Sequence, residues 1–116
     1  MTTYMSNTTN LSLSNSAYIA GSGDGIVTVQ GKPSARKIWL LNAKDMQIEQ
    51  VIVSLKNGHY MFFGLDPNKK YMVIVRDFEP DGIKWTGEAA IWDYVEAISD
   101  KSLDDQQALW LSWQTV

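Results

Sequence analysis

Asn57-Gly58-His59-Tyr60-Met61-Phe62-Phe63-Gly64-Leu65-Asp66-Pro67-Asn68-Lys69-Lys70-Tyr71-Met72-Val73-Ile74-Val75 is the stretch that decides the fold class. It reads as a tight turn, a strand, a second turn and another strand. Asn57-Gly58 supplies the positive φ angles that a two-residue hairpin turn needs. Asp66-Pro67-Asn68 sets the second turn, since proline fixes φ and Asx side chains cap their own backbone. Aromatic and β-branched residues fill the segments between, and almost nothing in them performs chemistry.

Working outward, the same pattern repeats in both directions. Strands are predicted at Ile26 to Gln30, Arg36 to Asn42, Ile48 to Leu55, His59 to Phe63, Tyr71 to Asp77 and Ala89 to Ile98. Gly31-Lys32-Pro33 and Ala43-Lys44-Asp45 are turns. Phe78 to Gly87 is a longer connection. Short strands at such intervals, with no long helical pattern between them, argue for an all-β antiparallel sandwich spanning residues 25–99.

Two segments flank that domain. Residues 1–24 form an extended polar arm rich in serine, threonine and asparagine. It is too poor in apolar residues to fold alone. Leu11 and Leu13 alternate with Ser12 and Ser14, as an added strand would. The arm is therefore either a solvated tail or a piece that orders on a neighbouring subunit. Gly21-Ser22-Gly23-Asp24-Gly25 is a flexible joint. It lacks the spacing and the following helix of a nucleotide loop. The tail, residues 100–116, changes period. Ser102 with Asp105 echoes a capping box, and Leu103, Ala108, Leu109, Trp110, Leu111 and Trp113 suit a short helix. Trp110 and Trp113 share a face, which packs on this chain or on another.

The chain has 116 residues, so one core is expected. Its formal charge is −3 without a basic cluster, which argues against a nucleic-acid surface. It has no cysteine, which removes disulfides and thiolate metal sites and leans towards folding in the cytosol. Met1 to Ala20 lacks the basic and apolar regions of a signal peptide. No run approaches the roughly 20 apolar residues needed to cross a bilayer. Five tryptophans in so short a chain point to an interface.

The strands are greasy on both faces. The pleat sends Ile38 and Leu40 one way and Trp39 and Leu41 the other. Tyr71, Val73 and Val75 oppose Met72 and Ile74, and Tyr60 and Phe62 oppose Met61 and Phe63. A solitary sandwich shows polar residues on its outer face. A second face holding Trp39, Leu41, Met72 and Ile74, with Met61 or Phe63 near them, needs cover. A partner subunit, or the tail with Trp110 and Trp113, supplies it. The expected interface set is therefore Trp39, Leu41, Met61, Phe63, Met72, Ile74, Leu11, Leu13, Trp110 and Trp113.

These residues also carry a family likeness. Gly25-Ile26-Val27, Gly31-Lys32-Pro33, Arg36-Lys37-Ile38-Trp39-Leu40, Asn57 to Leu65 and Tyr71 to Val75 together resemble the carboxypeptidase-regulatory-like, or transthyretin-like, β-sandwich module. The likeness covers residues 25–78 and implies an Ig-like or transthyretin-like sandwich. A free-standing copy with a polar arm, and a final strand such as Gly87-Glu88-Ala89-Ala90-Ile91-Trp92-Asp93, is similar to small structural proteins of tailed bacteriophages and prophages. That similarity implies a non-enzymatic subunit of a virion or tail, made in the bacterial cytoplasm and assembled from copies of itself and other phage structural proteins. The alternative is a carbohydrate- or receptor-binding module at a virion or cell surface.

Chemistry-bearing residues are sparse. His59 is the only histidine, and it is expected to be an exposed polar residue after a turn. No serine, cysteine or second histidine forms a triad with it. The transthyretin-like hydrolase of purine metabolism needs several histidines and a C-terminal Tyr-Arg-Gly-Ser-type motif, whereas this chain ends in Leu111-Ser112-Trp113-Gln114-Thr115-Val116. Asp77, Glu79 and Asp81 stand at alternate positions, but Pro80 interrupts a calcium loop. No catalytic residue, metal ligand or cofactor is expected. Trp85 and Trp92 are candidates for stacking on sugar rings, a role that needs acids and amides clustered beside them.

Overall fold

A computed structural model describes residues 16–21, 25–78 and 85–114. Among them are eight strands: β1 (Ala17–Gly21), β2 (Thr28–Val29), β3 (Lys32–Pro33), β4 (Lys37–Asn42), β5 (Ile48–Val53), β6 (Tyr60–Leu65), β7 (Lys70–Phe78) and β8 (Trp85–Glu96). Helix α1 (Leu103–Gln114) closes the described chain. All strand pairings are antiparallel, and the all-β class stands.

The larger sheet has the order β5-β4-β7-β8, the smaller pairs β1 with β6, and β2-β3 is a separate ribbon. Alternation along β4 and β7 builds the inner face of the large sheet. Ile38 and Leu40 lie opposite Val75 and Val73, and all four are buried. From the small sheet Ala17, Ile19, Tyr60, Phe62 and Leu65 join the same core, with Val27 and Tyr71. Each such large side chain contributes roughly 1.5–3 kcal/mol by leaving water.

The two sheets are tied at both margins. Tyr18 and Ile98 exchange two backbone hydrogen bonds, at 2.9 and 2.8 Å, which joins β1 to the segment after β8. At the other margin the Gln50 side chain donates to the Phe63 carbonyl at 2.8 Å.

Several boundaries differ from the sequence reading. The arm was expected to run through residue 24, yet Ala17–Gly21 is a core strand. Ala17 has no solvent exposure and Ile19 only 5%. Its small residues allow close packing, and Gly21 sits where a Cβ would overlap the Tyr60 ring. Leu11 and Leu13 lie outside the described residues. The first predicted strand is reduced to the β2-β3 ribbon, whose turn carries positive φ at Gln30 (52°) and Gly31 (80°).

The Asn57-Gly58 turn is also corrected. Only Gly58 has positive φ, at 86°. Gly58 N–H donates to Leu55 O and Leu55 N–H to His59 O, which makes a three-residue loop closed by a left-handed glycine. The flanking strands then part into different sheets. The turn is thus a crossover between the layers, not the tip of a hairpin within one sheet. Asp66-Pro67-Asn68 behaves likewise: Asn68 N–H is capped by the Asp66 carboxylate at 2.8 Å, and Tyr71 Oη accepts from Asp66 N–H at 3.0 Å.

Candidate interaction surface

The register of the large sheet builds the surface residue by residue. Trp39 lies opposite Val51 on one side and Ile74 on the other, and Ile74 lies opposite Ile91. Residues directly opposite in antiparallel strands share a face. One apolar row therefore crosses all four strands: Val51, Trp39, Ile74, Ile91. Leu41, opposite Met72 and Ile48, begins a second row beside it. Lys37 and Arg76 stand at the other end.

Exposure grades across this face. Leu41 is 8% exposed, walled in by its neighbours, and Trp39, Met72 and Ile74 are half-buried. Towards the margins Val51 and Val53 are 45% and 42% exposed, and Ile48 and Ile91 reach 61% and 60%. Aromatic and aliphatic side chains thus lie open on the side away from the core. The four residues predicted for this face do share it. Val51, Val53 and Ile91 extend it and were not predicted. Their signal was the alternation of Val51 and Val53 with Ile52, which packs against the core.

Met61, Phe63, Trp110 and Trp113, also predicted, sit in a different layer. Met61 and Phe63 point to the outer side of the small sheet, where α1 covers them. The Trp110 ring meets Phe63 edge-on at 6.5 Å, and Trp113 lies 4.9 Å from the His59 ring. Asn57 Nδ2 donates to the Trp113 carbonyl at 2.9 Å. Met61 is 3% exposed, so its contacts are made within the chain. The tail covers its own small sheet and leaves the large sheet's outer face uncovered among the described residues.

Local chemistry explains the helix. Ser102 Oγ accepts from Asp105 N–H at 3.1 Å, which is the anticipated N-cap. Asp104 and Asp105 suit the positive end of the helix dipole. The inward stripe is Gln106, Leu109, Trp110 and Trp113, at helical spacing. Leu103, Ala108 and Leu111, expected to form the apolar side of the helix with Leu109, Trp110 and Trp113, are exposed.

His59 is half-buried rather than exposed. Its backbone N–H is capped by Asn57 Oδ1 at 3.1 Å, and its buried Nδ1 has no partner among the described residues. Asp77 is buried and bound to Arg36 Nε at 2.7 Å, so its carboxylate is engaged. Glu79 and Asp81 lie outside the described residues. A cavity of about 110 Å³ adjoins the ion pair, walled by Val27, Val29, Val75 and Ala90. Trp92 stands opposite Val73 near the sheet margin and is half-exposed, and the side chain of Trp85 lies outside the described set.

No protein-family model, curated protein or solved structure matches the chain.

Proposed function

We propose that the protein is a non-enzymatic structural subunit that assembles with copies of itself through the outer face of its large sheet. The observation that carries this reading is the row Val51, Trp39, Ile74 and Ile91, apolar across four strands and most open at its two ends. Each Å² of apolar surface covered on assembly stabilises the contact by roughly 25 cal/mol. Symmetric copies then multiply weak contacts into a durable lattice or tube. The resemblance of residues 25–78 and of the final strand to phage structural modules supports a virion or tail-associated place for such a subunit, with other phage structural proteins as further partners.

Light scattering coupled to size-exclusion chromatography tests the reading. The full chain is expected to self-associate as concentration rises, and Val51→Asp with Ile91→Asp to remain monomeric with the thermal unfolding midpoint little changed. A full chain that stays at 13 kDa at millimolar concentration overturns it. The contribution of the arm is read separately by deleting residues 1–15. Deletion through residue 21 is unsuitable, since it removes β1 from the core.

A further inference from the structure

A second feature lies at one end of the large sheet and is independent of the assembly reading. The β4–β5 turn, the turn before β7 and the C-terminal part of β8 surround a cleft of about 700 Å³. Asn42, Lys44, Asn68, Lys70, Asp93 and Tyr94 line it. Its volume falls within the roughly 300–1,000 Å³ of small-ligand sites.

Tyr94 is the unusual member. Between the pairs Tyr71–Val95 and Val73–Trp92 the register of β8 slips, so Asp93 and Tyr94 together face Met72. This bulge puts Tyr94 at φ 58°, a left-handed conformation that bulky residues rarely adopt. Its N–H donates to the Asp93 carboxylate at 2.7 Å, which holds the bulge. The ring gains no burial from this strain, for Tyr94 is 70% exposed. A bulge that re-aims one side chain towards a cleft is a common device at binding sites. Lys70 Nζ lies 5.6 Å from the ring centroid and is itself held 3.1 Å from Glu96. The ring is therefore steadied on one side and open over most of its surface.

We propose that this cleft binds a short neutral saccharide, with one pyranose ring resting on Tyr94. The negative face of an aromatic ring takes the C–H face of a sugar. Around it stand the groups that read hydroxyls: the amides of Asn42 and Asn68 donate and accept, Asp93 accepts, and Lys44 donates. Charge decides against an anionic ligand. The lining lysines Lys44, Lys69 and Lys70 are offset by Asp93 in the cleft, by Glu49 at 4.0 Å from Lys69 and by Glu96 at 3.1 Å from Lys70, so no excess of positive charge awaits a phosphate or carboxylate. The cluster of acid and amides that sugar stacking requires lines the cleft beside Tyr94, and Trp92 is not among its lining residues.

The test is a titration of the ¹⁵N-labelled full chain with cellohexaose, maltohexaose, chitohexaose and mannohexaose, followed by amide chemical shifts. At least one is expected to shift the amides of residues 42–44, 68–70 and 93–94 with a dissociation constant of about 1 mM or tighter. Tyr94→Asn removes the ring but tolerates the left-handed backbone, and is expected to weaken binding about tenfold or more. Tyr94→Phe keeps the ring and is expected to stay within about threefold of the natural chain. Val51→Asp, on the assembly face, leaves saccharide binding unchanged and so separates this proposal from the preceding one. Where Tyr94→Asn fails to fold, Asn68→Ala carries the same expected loss. No shift at the cleft with any of the four saccharides, or shifts that survive both substitutions, overturns the proposal.

Discussion

The side-chain amide of Gln106 donates to the Ser16 carbonyl at 2.7 Å and to the Lys101 carbonyl at 3.1 Å, from a residue with no solvent exposure. A glutamine thus anchors the C-terminal helix to the start of β1, across 90 positions of sequence. Gln106→Ala removes both donations and leaves a void, and is expected to cost about 2–4 kcal/mol in urea unfolding. Gln106→Leu fills the space but still deprives the carbonyls, and is expected to cost about 1–2 kcal/mol. Gln106→Glu sets a carboxylate against two carbonyl oxygens and is expected to be the most damaging at neutral pH, with partial recovery in acid as the new carboxyl takes up a proton. Equal stability of all three variants would remove the anchor from the account.

Gly58 ties the crossover turn to the β2-β3 ribbon. Its carbonyl accepts from Val27 N–H at 2.9 Å, its φ is 86°, and a Cβ there would stand 2.5 Å from the Val27 carbonyl. Gly58→Ala therefore meets backbone strain and a clash together, and is expected to cost about 2 kcal/mol or more. Gly31 has a similar φ of 80° but open space around its Cβ position. Gly31→Ala is expected to cost only about 1 kcal/mol, from the strain alone. Thermal unfolding of the two variants side by side separates the two effects.

Periodicity made β4, β5 and β7 readable because core-facing residues alternate with more open ones: Ile38 with Trp39, Ile52 with Val51 and Val53, Tyr71 with Met72. The same alternation marks the second apolar face in the sequence alone. It failed where long-range packing outweighs local pattern. Ala17-Tyr18-Ile19-Ala20-Gly21 looks like the end of a polar arm, since its small residues matter only through the Tyr60 ring and Phe62 that they meet. Asn57-Gly58 satisfied the hairpin rule locally, yet the sheets that its flanking strands join are chosen by β1 and β4. The helix stripe was misplaced because a buried glutamine carries no hydrophobic signal. The Tyr94 cleft left no local signal because a bulge is a property of the pairing between β7 and β8, not of either strand.

Arg36, just before β4, and Asp77, on β7, pair at 2.7 Å, with side-chain exposures of 16% and 8%. Arg36 Nη1 also donates to the Ala35 carbonyl at 2.9 Å, which holds the guanidinium in place. Breaking a largely buried pair from one side leaves the other charge without its partner. Arg36→Met and Asp77→Asn are each expected to cost about 2–3 kcal/mol in urea unfolding, and the double variant clearly less than the sum of the two. Strict additivity in that cycle would show that the pair is not coupled.

Tyr18 Oη donates to Asp100 Oδ1 at 2.7 Å, at the margin where β1 meets the end of β8. Burial pushes its hydroxyl pKa from 10.0 up to about 12, with the hydrogen bond to Asp100 and the negative charge of that carboxylate acting in the same direction. Burial raises Tyr60 and Tyr71 as well, the latter opposed in part by the hydrogen bond from Asp66 N–H. A raised pKa in the folded state means that the folded chain holds these protons longer than the unfolded one. Below about pH 10 both states are protonated and the stabilisation is fully present. Between about 10 and 12 the unfolded chain loses its phenolic protons first, so stability falls as pH rises. Above about 12 the contribution of Tyr18 is gone. The urea midpoint of the full chain is therefore expected to decline steadily from pH 10 upward. Tyr18→Phe is expected to cost about 1 kcal/mol at neutral pH and to decline less steeply in the alkaline range. A wild-type phenolate absorbance curve that loses no late-ionising component on Tyr18→Phe substitution would contradict the assignment of that component to Tyr18.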